Sequence, residues 1–185
     1  MKEIFPAYSG KIKKNHESLE HVLLDCDYIA NCIRAQALPR KGKIMHRLFY
    51  VITLWLERTY GFRYGLSQGF VEKYQQLDPG LIRRSHNPNG SYFVLEHALP
   101  VNVLQQQMQQ AGLQTGAEVL QYIIDTYHLH LITVEEDEIL RKAGLAKKMP
   151  QGYYDPSDEL YQDPLARYKT VGLVVYSEPV KSVTQ

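Results

Sequence analysis

The chain has 185 residues, of which 44% are hydrophobic and 22% are charged. These values are typical of one globular domain and exclude a mainly disordered chain. The 21 Lys and Arg residues and the 20 Asp and Glu residues leave a net charge of +1, whereas a strongly basic nucleic-acid-binding domain carries a clear positive surplus. The longest apolar run, residues 48–56, has about half the length of a membrane span, so we predict no membrane segment.

The two cysteines, Cys26 and Cys32, lie six residues apart in a segment with helical periodicity. Six residues turn a helix by about 600°, so the two side chains point to different faces and do not pair. We therefore expect reduced thiols that pack as small apolar side chains. Reduced cysteines, together with an N-terminus that lacks the apolar segment of a secretory signal, predict a cytoplasmic location.

Three helices are predicted in the first half of the chain, where apolar residues recur at helical spacing. They span residues 16–37, 44–60 and 68–77. The middle helix is apolar on several sides around Trp55, which predicts that it is covered on several sides or lies at a subunit interface. We interpret Gly61, Gly65 and Gly69, which precede the third helix, as turns and a helix start, because their spacing matches no phosphate-binding motif.

The second half alternates strands with helices. Strand signals occur at residues 91–96, 128–132 and 171–176. Helices are predicted after Pro100, after Thr115 and after Thr133, since each of these threonines is followed three residues later by the glutamate of a capping box. His128 and His130 alternate with apolar residues in the second strand, which favours packing or exposure over metal binding.

These elements predict an α+β fold, in which a helical N-terminal half is followed by a small sheet of three strands flanked by helices. We expect residues 1–185 to form a single domain. Its parts are a helical half over about residues 1–85, an α/β half over about 86–150, and a tyrosine-rich C-terminal arm over about 151–185. The 14 tyrosines of the chain suit an arm that packs over the body or over a partner subunit.

The segment from Glu96 to Pro100 reads Glu-His-Ala-Leu-Pro and follows a predicted strand. It resembles the acidic-His-x-x-Pro signature of the HNH, or ββα-metal, endonucleases. The resemblance implies a hydrolase that cuts DNA, with His97 as the general base for water and Glu96 as a metal ligand. By position in the motif, Glu136 and Asp137, in the first turn of the helix after the second strand, would supply the remaining metal ligands.

The resemblance also implies a Mg²⁺ ion or another divalent cation, because phosphodiester cleavage needs charge neutralisation and carboxylates suit such ions. DNA would then be a partner. Basic side chains close to these elements in sequence could hold its phosphates. They are Arg83, Arg84, Lys147 and Lys148.

The same residues also fit a protein without catalysis. In that interpretation His97 is a hydrogen-bonded residue at a strand end, Glu96 is its solvated neighbour, and the acidic residues after Thr133 stabilise a helix N-terminus by roughly 0.3–1 kcal/mol each. The apolar helix around Trp55 and the tyrosine-rich arm then favour a regulatory protein that forms a homodimer or binds another partner. Such a protein could bind nucleic acid without cutting it.

Overall fold

The computed structural model describes residues 19–36, 65–74 and 93–176, together with the single helical residues Phe49, Ile52 and Trp55. The elements in chain order are helix α1 (Leu19–Arg34), strand β1 (Gly65–Ser67), α2 (Gln68–Tyr74), β2 (Phe93–His97), α3 (Val101–Ala111), α4 (Gly116–Thr126), β3 (Leu129–Thr133), α5 (Val134–Lys142), a 3-10 helix (Gln151–Tyr154), α6 (Ala166–Thr170) and β4 (Val175–Tyr176). The fold is α+β, with helices flanking a small sheet, as predicted.

The chain divides into two compact units. The described residues of the first, the sheet unit, are 65–74, 93–100 and 128–176, and those of the second, the helical unit, are 19–36, Phe49, Ile52, Trp55 and 101–127. The division does not follow the predicted boundaries near residues 85 and 150, because the chain leaves the sheet after β2 and returns to it at β3. The expectation of a single domain stays a prediction.

The sheet has four strands in the order β2-β3-β1-β4. β3 is antiparallel to β2 and parallel to β1, and β4 is antiparallel to β1. The sequence predicted three strands, because the glycine-punctuated residues 61–69 were interpreted as turns. Gly65 instead lies in β1 opposite His130, where an added Cβ would be 2.2 Å from the His130 ring. Glycine at this position therefore permits the close approach of β1 to β3.

Side chains alternate between the two faces of the sheet. The Glu96 face carries Glu96, His130 and Ile132, and the His97 face carries Phe93 and His97. A core cluster covers the Glu96 face and contains Ala98, Ile132, Leu140, Leu145 and Tyr168. On the His97 face, the rings of Phe93 and Phe70 meet edge to face at 4.5 Å, which fixes α2 against the sheet.

The helical unit is built on α1, α3 and α4. α1 buries the stripe Val22, Cys26, Ile29, Ala30 and Ile33, as its periodicity predicted. The backbone N–H of Gly116 donates to Asp27 at 2.6 Å, which joins the start of α4 to α1. The predicted capping box of Thr115 and Glu118 is present.

Within this unit Phe49, Ile52 and Trp55 are all buried. The burial of Phe49 and Trp55, six residues apart, fits the prediction of a helix that is covered on several sides. The other residues of the predicted helix over 44–60 lie outside the described residues. Cys26 and Cys32 are free thiols, and burial, followed by the charges of Asp25 and Asp27, raises the pKa of Cys26 to about 12. None of the helices in the described part of the chain has the length and apolarity needed to cross a membrane.

Candidate functional site

The antiparallel pairing of β2 and β3 decides where the predicted site residues lie. His97 pairs with Leu129 at the beginning of β3, whereas Phe93 pairs with Thr133 at its end. Glu136 and Asp137 follow Thr133 in the first turn of α5. The start of α5 is therefore four residues along the strand from His97, about 13 Å away in the strand direction.

The structure thus does not bring His97 together with the acidic residues of α5. The resemblance implied that His97 and these acids meet around one metal ion, but the carboxyl ends of antiparallel neighbours lie at opposite edges of a sheet. Adjacent residues on a strand also point to opposite faces. Glu96, paired with His130, therefore points away from the face that carries His97.

Glu96 lies instead against Arg167, a side chain that the motif analysis did not single out. Arg167 is in α6, its side chain is 0% exposed, and its Nη2 donates to the carboxylate of Glu96. Burial raises the pKa of Glu96, the Arg167 guanidinium opposes that shift, and the charge of Asp137 adds to it. Glu96 therefore forms a partly buried ion pair with Arg167 on this face, and Asp137 lies near enough for its charge to act on Glu96.

Glu136 joins two corners of the sheet unit at which a strand passes into a helix. Its carboxylate accepts from the hydroxyl of Ser67 at 2.5 Å, from the N–H of Gly69 at 3.2 Å and from the N–H of Thr133 at 2.7 Å. Ser67 in turn accepts from Phe70 N–H at 3.0 Å in the first turn of α2. The predicted capping box of Thr133 and Glu136 is present, and the same carboxylate also ties α2 to α5.

Asp137 is nearly buried and forms an ion pair with Arg141 one helical turn further on, at 2.6 Å. Of the predicted phosphate-binding residues, Lys147 and Lys148 are exposed. Arg83 and Arg84 lie outside the described residues. Of the four predicted phosphate-binding residues, the described part of the chain therefore contains two, and both are exposed.

His130 and Tyr168 complete the buried group on the Glu96 face. Their rings meet edge to face at 5.1 Å. Burial, with a smaller contribution from the charge of His128, lowers the pKa of His130 to about 4, so the imidazole is neutral at neutral pH. Burial is also the main cause that raises the pKa of the Tyr168 hydroxyl, and the charge of Glu96 is the next.

Sequence reasoning missed Arg167 and Tyr168 because the pattern around them is typical of a short surface helix. Leu165 and Ala166 precede them, and Lys169 follows. An arginine in such a segment is exposed in most proteins. Only the packing of α6 on the Glu96 face distinguishes Arg167 from an ordinary surface cation.

The described residues contain no group of three or more His, Cys, Asp or Glu side chains placed to hold a metal ion. The predictions of Mg²⁺ and of a metal site therefore gain no support from this part of the chain. Comparison of the whole chain with protein-family models, with curated proteins and with solved structures found no match.

Proposed function

We propose that this chain is a non-catalytic protein that binds a protein partner, with a second copy of itself as the first candidate. The observation that carries the proposal is that all three predicted metal ligands already form hydrogen bonds or ion pairs with other groups of the protein. Glu96 holds Arg167, Asp137 holds Arg141, and Glu136 accepts from a hydroxyl and two backbone N–H groups.

A divalent cation would have to displace these groups before it could bind. Mg²⁺ takes six oxygen ligands in a near-ideal octahedron and releases its own waters reluctantly. Displacing Arg167 from Glu96 would leave a fully buried guanidinium without its counter-ion, which is strongly unfavourable. The carboxylates therefore fit structural roles better than ligation.

A partner surface is suggested by the C-terminal part of the sheet unit. Tyr153 and Tyr168 are buried in it, whereas four large apolar or aromatic side chains are exposed. These are Tyr154 (52% exposed), Tyr161 (42%), Val174 (49%) and Tyr176 (50%). Tyrosine is enriched at protein interfaces, because an apolar ring is buried there while its hydroxyl keeps a polar partner.

Light scattering coupled to size-exclusion chromatography of the full chain tests the proposal. We expect a dimer whose mass shifts toward the monomer in the double variant Tyr154→Ser/Tyr176→Ser. The matched control is Tyr28→Ser, since Tyr28 is 46% exposed on α1 of the helical unit. A monomer at every concentration, or an equal effect of the control, would contradict the proposed surface.

The metal-dependent endonuclease stays a prediction from sequence and has its own test. Purified protein is incubated with DNA and Mg²⁺ or Mn²⁺, alongside the His97→Ala and Glu96→Gln variants. Our proposal expects no cleavage by any of them and no effect of the cations on the melting temperature. Cleavage that disappears in His97→Ala while its melting temperature is unchanged would replace our proposal with the nuclease.

Nucleic-acid binding without cleavage also stays a prediction, as does the cytoplasmic location. The first is tested by titrating labelled DNA at several salt concentrations, with Lys147→Gln/Lys148→Gln as the variant. Binding through these lysines would weaken with added salt, and the variant would show a smaller salt dependence. Equal, salt-independent binding by both proteins would exclude these lysines as phosphate contacts.

A further inference from the structure

The segment of residues 145–176, here called the strap, crosses the Glu96 face of the sheet. It begins shortly after α5 and ends in β4, which pairs with β1. Because the strand order is β2-β3-β1-β4, β4 lies at one edge of the sheet and Glu96 of β2 at the other. The strap packs on the core cluster through Leu145, Leu165, Tyr168, Val171, Leu173 and Val175.

The strap is held together mainly by its own backbone hydrogen bonds. They run, for example, from Gln162 N–H to Tyr153 C=O at 3.1 Å and from Leu173 N–H to Tyr168 C=O at 2.9 Å. Among the backbone bonds of the described residues, those to the sheet occur at the strap's end, in β4 and in the bond from Gln68 N–H to the Val174 carbonyl at 2.9 Å. Lifting the strap would therefore leave most of its backbone bonds intact.

Several buried polar groups in the middle of the strap lack hydrogen-bond partners among the described residues. Only Nη2 of Arg167 has an acceptor, Glu96, whereas Nε and Nη1 are buried without a hydrogen-bond partner among the described residues. The buried Tyr168 hydroxyl also lacks a partner in this part of the chain. A buried donor without an acceptor is unfavourable, more so when it is charged, and water would satisfy all three groups if the strap opened.

We propose that the strap opens as a unit while β1, β2 and β3 stay paired, and that the buried Arg167–Tyr168 pair sets how often it does so. Opening uncovers Glu96 and His130 beside the apolar side chains of Ile132 and Leu140. The strap's apolar contacts and the β4 pairing oppose opening. The unsatisfied polar groups favour it.

Hydrogen exchange of the full chain, followed by mass spectrometry at neutral pH, tests the proposal. We expect the amides whose hydrogen bonds opening breaks, those of the β4–β1 pairing and of Gln68, to exchange together. Their exchange, here called strap exchange, should be at least about tenfold faster than that of the β2–β3 pairing, as for a unit of low local stability. Exchange of the strap at the same rate as the β2–β3 pairing would overturn the proposal.

Two variants test the role assigned to the buried pair. In Glu96→Leu/Arg167→Met the ion pair is replaced by apolar side chains of similar volume, a change that proteins often tolerate, and strap exchange should slow about tenfold. Tyr168→Phe removes only the unpartnered hydroxyl and should slow it several-fold, which keeps the proposal testable if the double variant does not fold. Glu159→Gln, at an exposed position of the strap outside the proposed partner surface, is the control and should change nothing.

Exchange of α4 in the helical unit serves as the internal reference in every sample. Strap exchange that is unchanged or faster in Tyr168→Phe would overturn the assignment of the buried pair as the controlling contact. Slowing that appears equally in the Glu159→Gln control would do the same.

Discussion

Acidification should destabilise the sheet unit through one side chain, His130. The imidazole is 1% exposed, packs edge to face on Tyr168, and lies opposite Gly65 and Glu96 on the neighbouring strands. A protonated imidazole in this position would be a buried charge. We therefore expect folding to become less favourable as His130 is forced to take up a proton.

The magnitude follows from the two pKa values. Histidine has an ordinary pKa of 6.5, and that of His130 is about 4, a difference worth about 3 kcal/mol. Because the folded-state pKa is the lower one, the unfolded chain binds the proton more readily between these values. The stability that depends on a neutral His130 is fully present above pH 6.5. About 2 kcal/mol of it is lost at about pH 5, and the loss is complete below the folded-state pKa.

Urea denaturation at about pH 7.5 and about pH 5 measures this difference. Glu96 acts in the opposite direction, because its raised pKa means that the folded chain binds that proton more readily, so stability gains from Glu96 as the pH falls. The His130→Asn variant separates the effect of His130 on stability from that of Glu96. It should lose less stability than the wild type on acidification, whereas His97→Asn, on the other face, retains the full loss.

NMR titration of the histidine ring protons provides an independent measurement on the folded protein. The His130 resonance should not shift until the pH is well below the ordinary value. A His130 that titrates near pH 6.5, the ordinary value, would refute the reasoning. Identical pH dependence in the wild type and His130→Asn would also refute it, since burial would then not disfavour the charged form.

Three further substitutions, each measured by urea denaturation, test the hydrogen bonds and close contacts that connect or cap the helices and strands. Glu136→Gln should lower the free energy of unfolding by about 2–3 kcal/mol, because an NH₂ group that cannot accept replaces one of the two oxygens that accept from Ser67, Gly69 and Thr133. Glu138→Gln, on the exposed side of α5, should change it by less than about 0.5 kcal/mol. Gly69→Ala should cost about 1–3 kcal/mol, since its Cβ would lie 2.7 Å from Oε1 of Glu136, and a neutral result would mean that this carboxylate moves freely. Thr115→Ala should cost about 1 kcal/mol through loss of the α4 cap, and no change would show that the Glu118 half of the box suffices.

Among the residues that the structure describes, local patterns predicted most of the secondary structure correctly. The capping boxes at Thr115 and Thr133 placed the starts of α4 and α5, and both boxes are present. Gly144 was expected to end α5 and has a φ of 71°, a backbone conformation that glycine adopts without strain. These signals are reliable because the groups that make the hydrogen bonds are within four residues of one another.

Strand β1 escaped prediction because its three residues, Gly65, Leu66 and Ser67, are too few to show alternation. The strand forms because β3 and β4 supply hydrogen-bond partners on both sides. Its neighbours come from positions more than sixty residues away in the chain. No local pattern contains that information.

The candidate site shows the same division between local and distant information. Periodicity and capping are properties of neighbouring residues, and they were enough to predict that a strand ends at Glu96 and that Glu136 and Asp137 begin a helix. Tertiary structure alone decided that β2 and β3 run antiparallel, which separates His97 from those acids, and that Arg167 rather than a metal ion faces Glu96. Strand direction and the burial of a charge depend on contacts between distant segments, and the free energy of those contacts is not encoded in any single stretch of the chain.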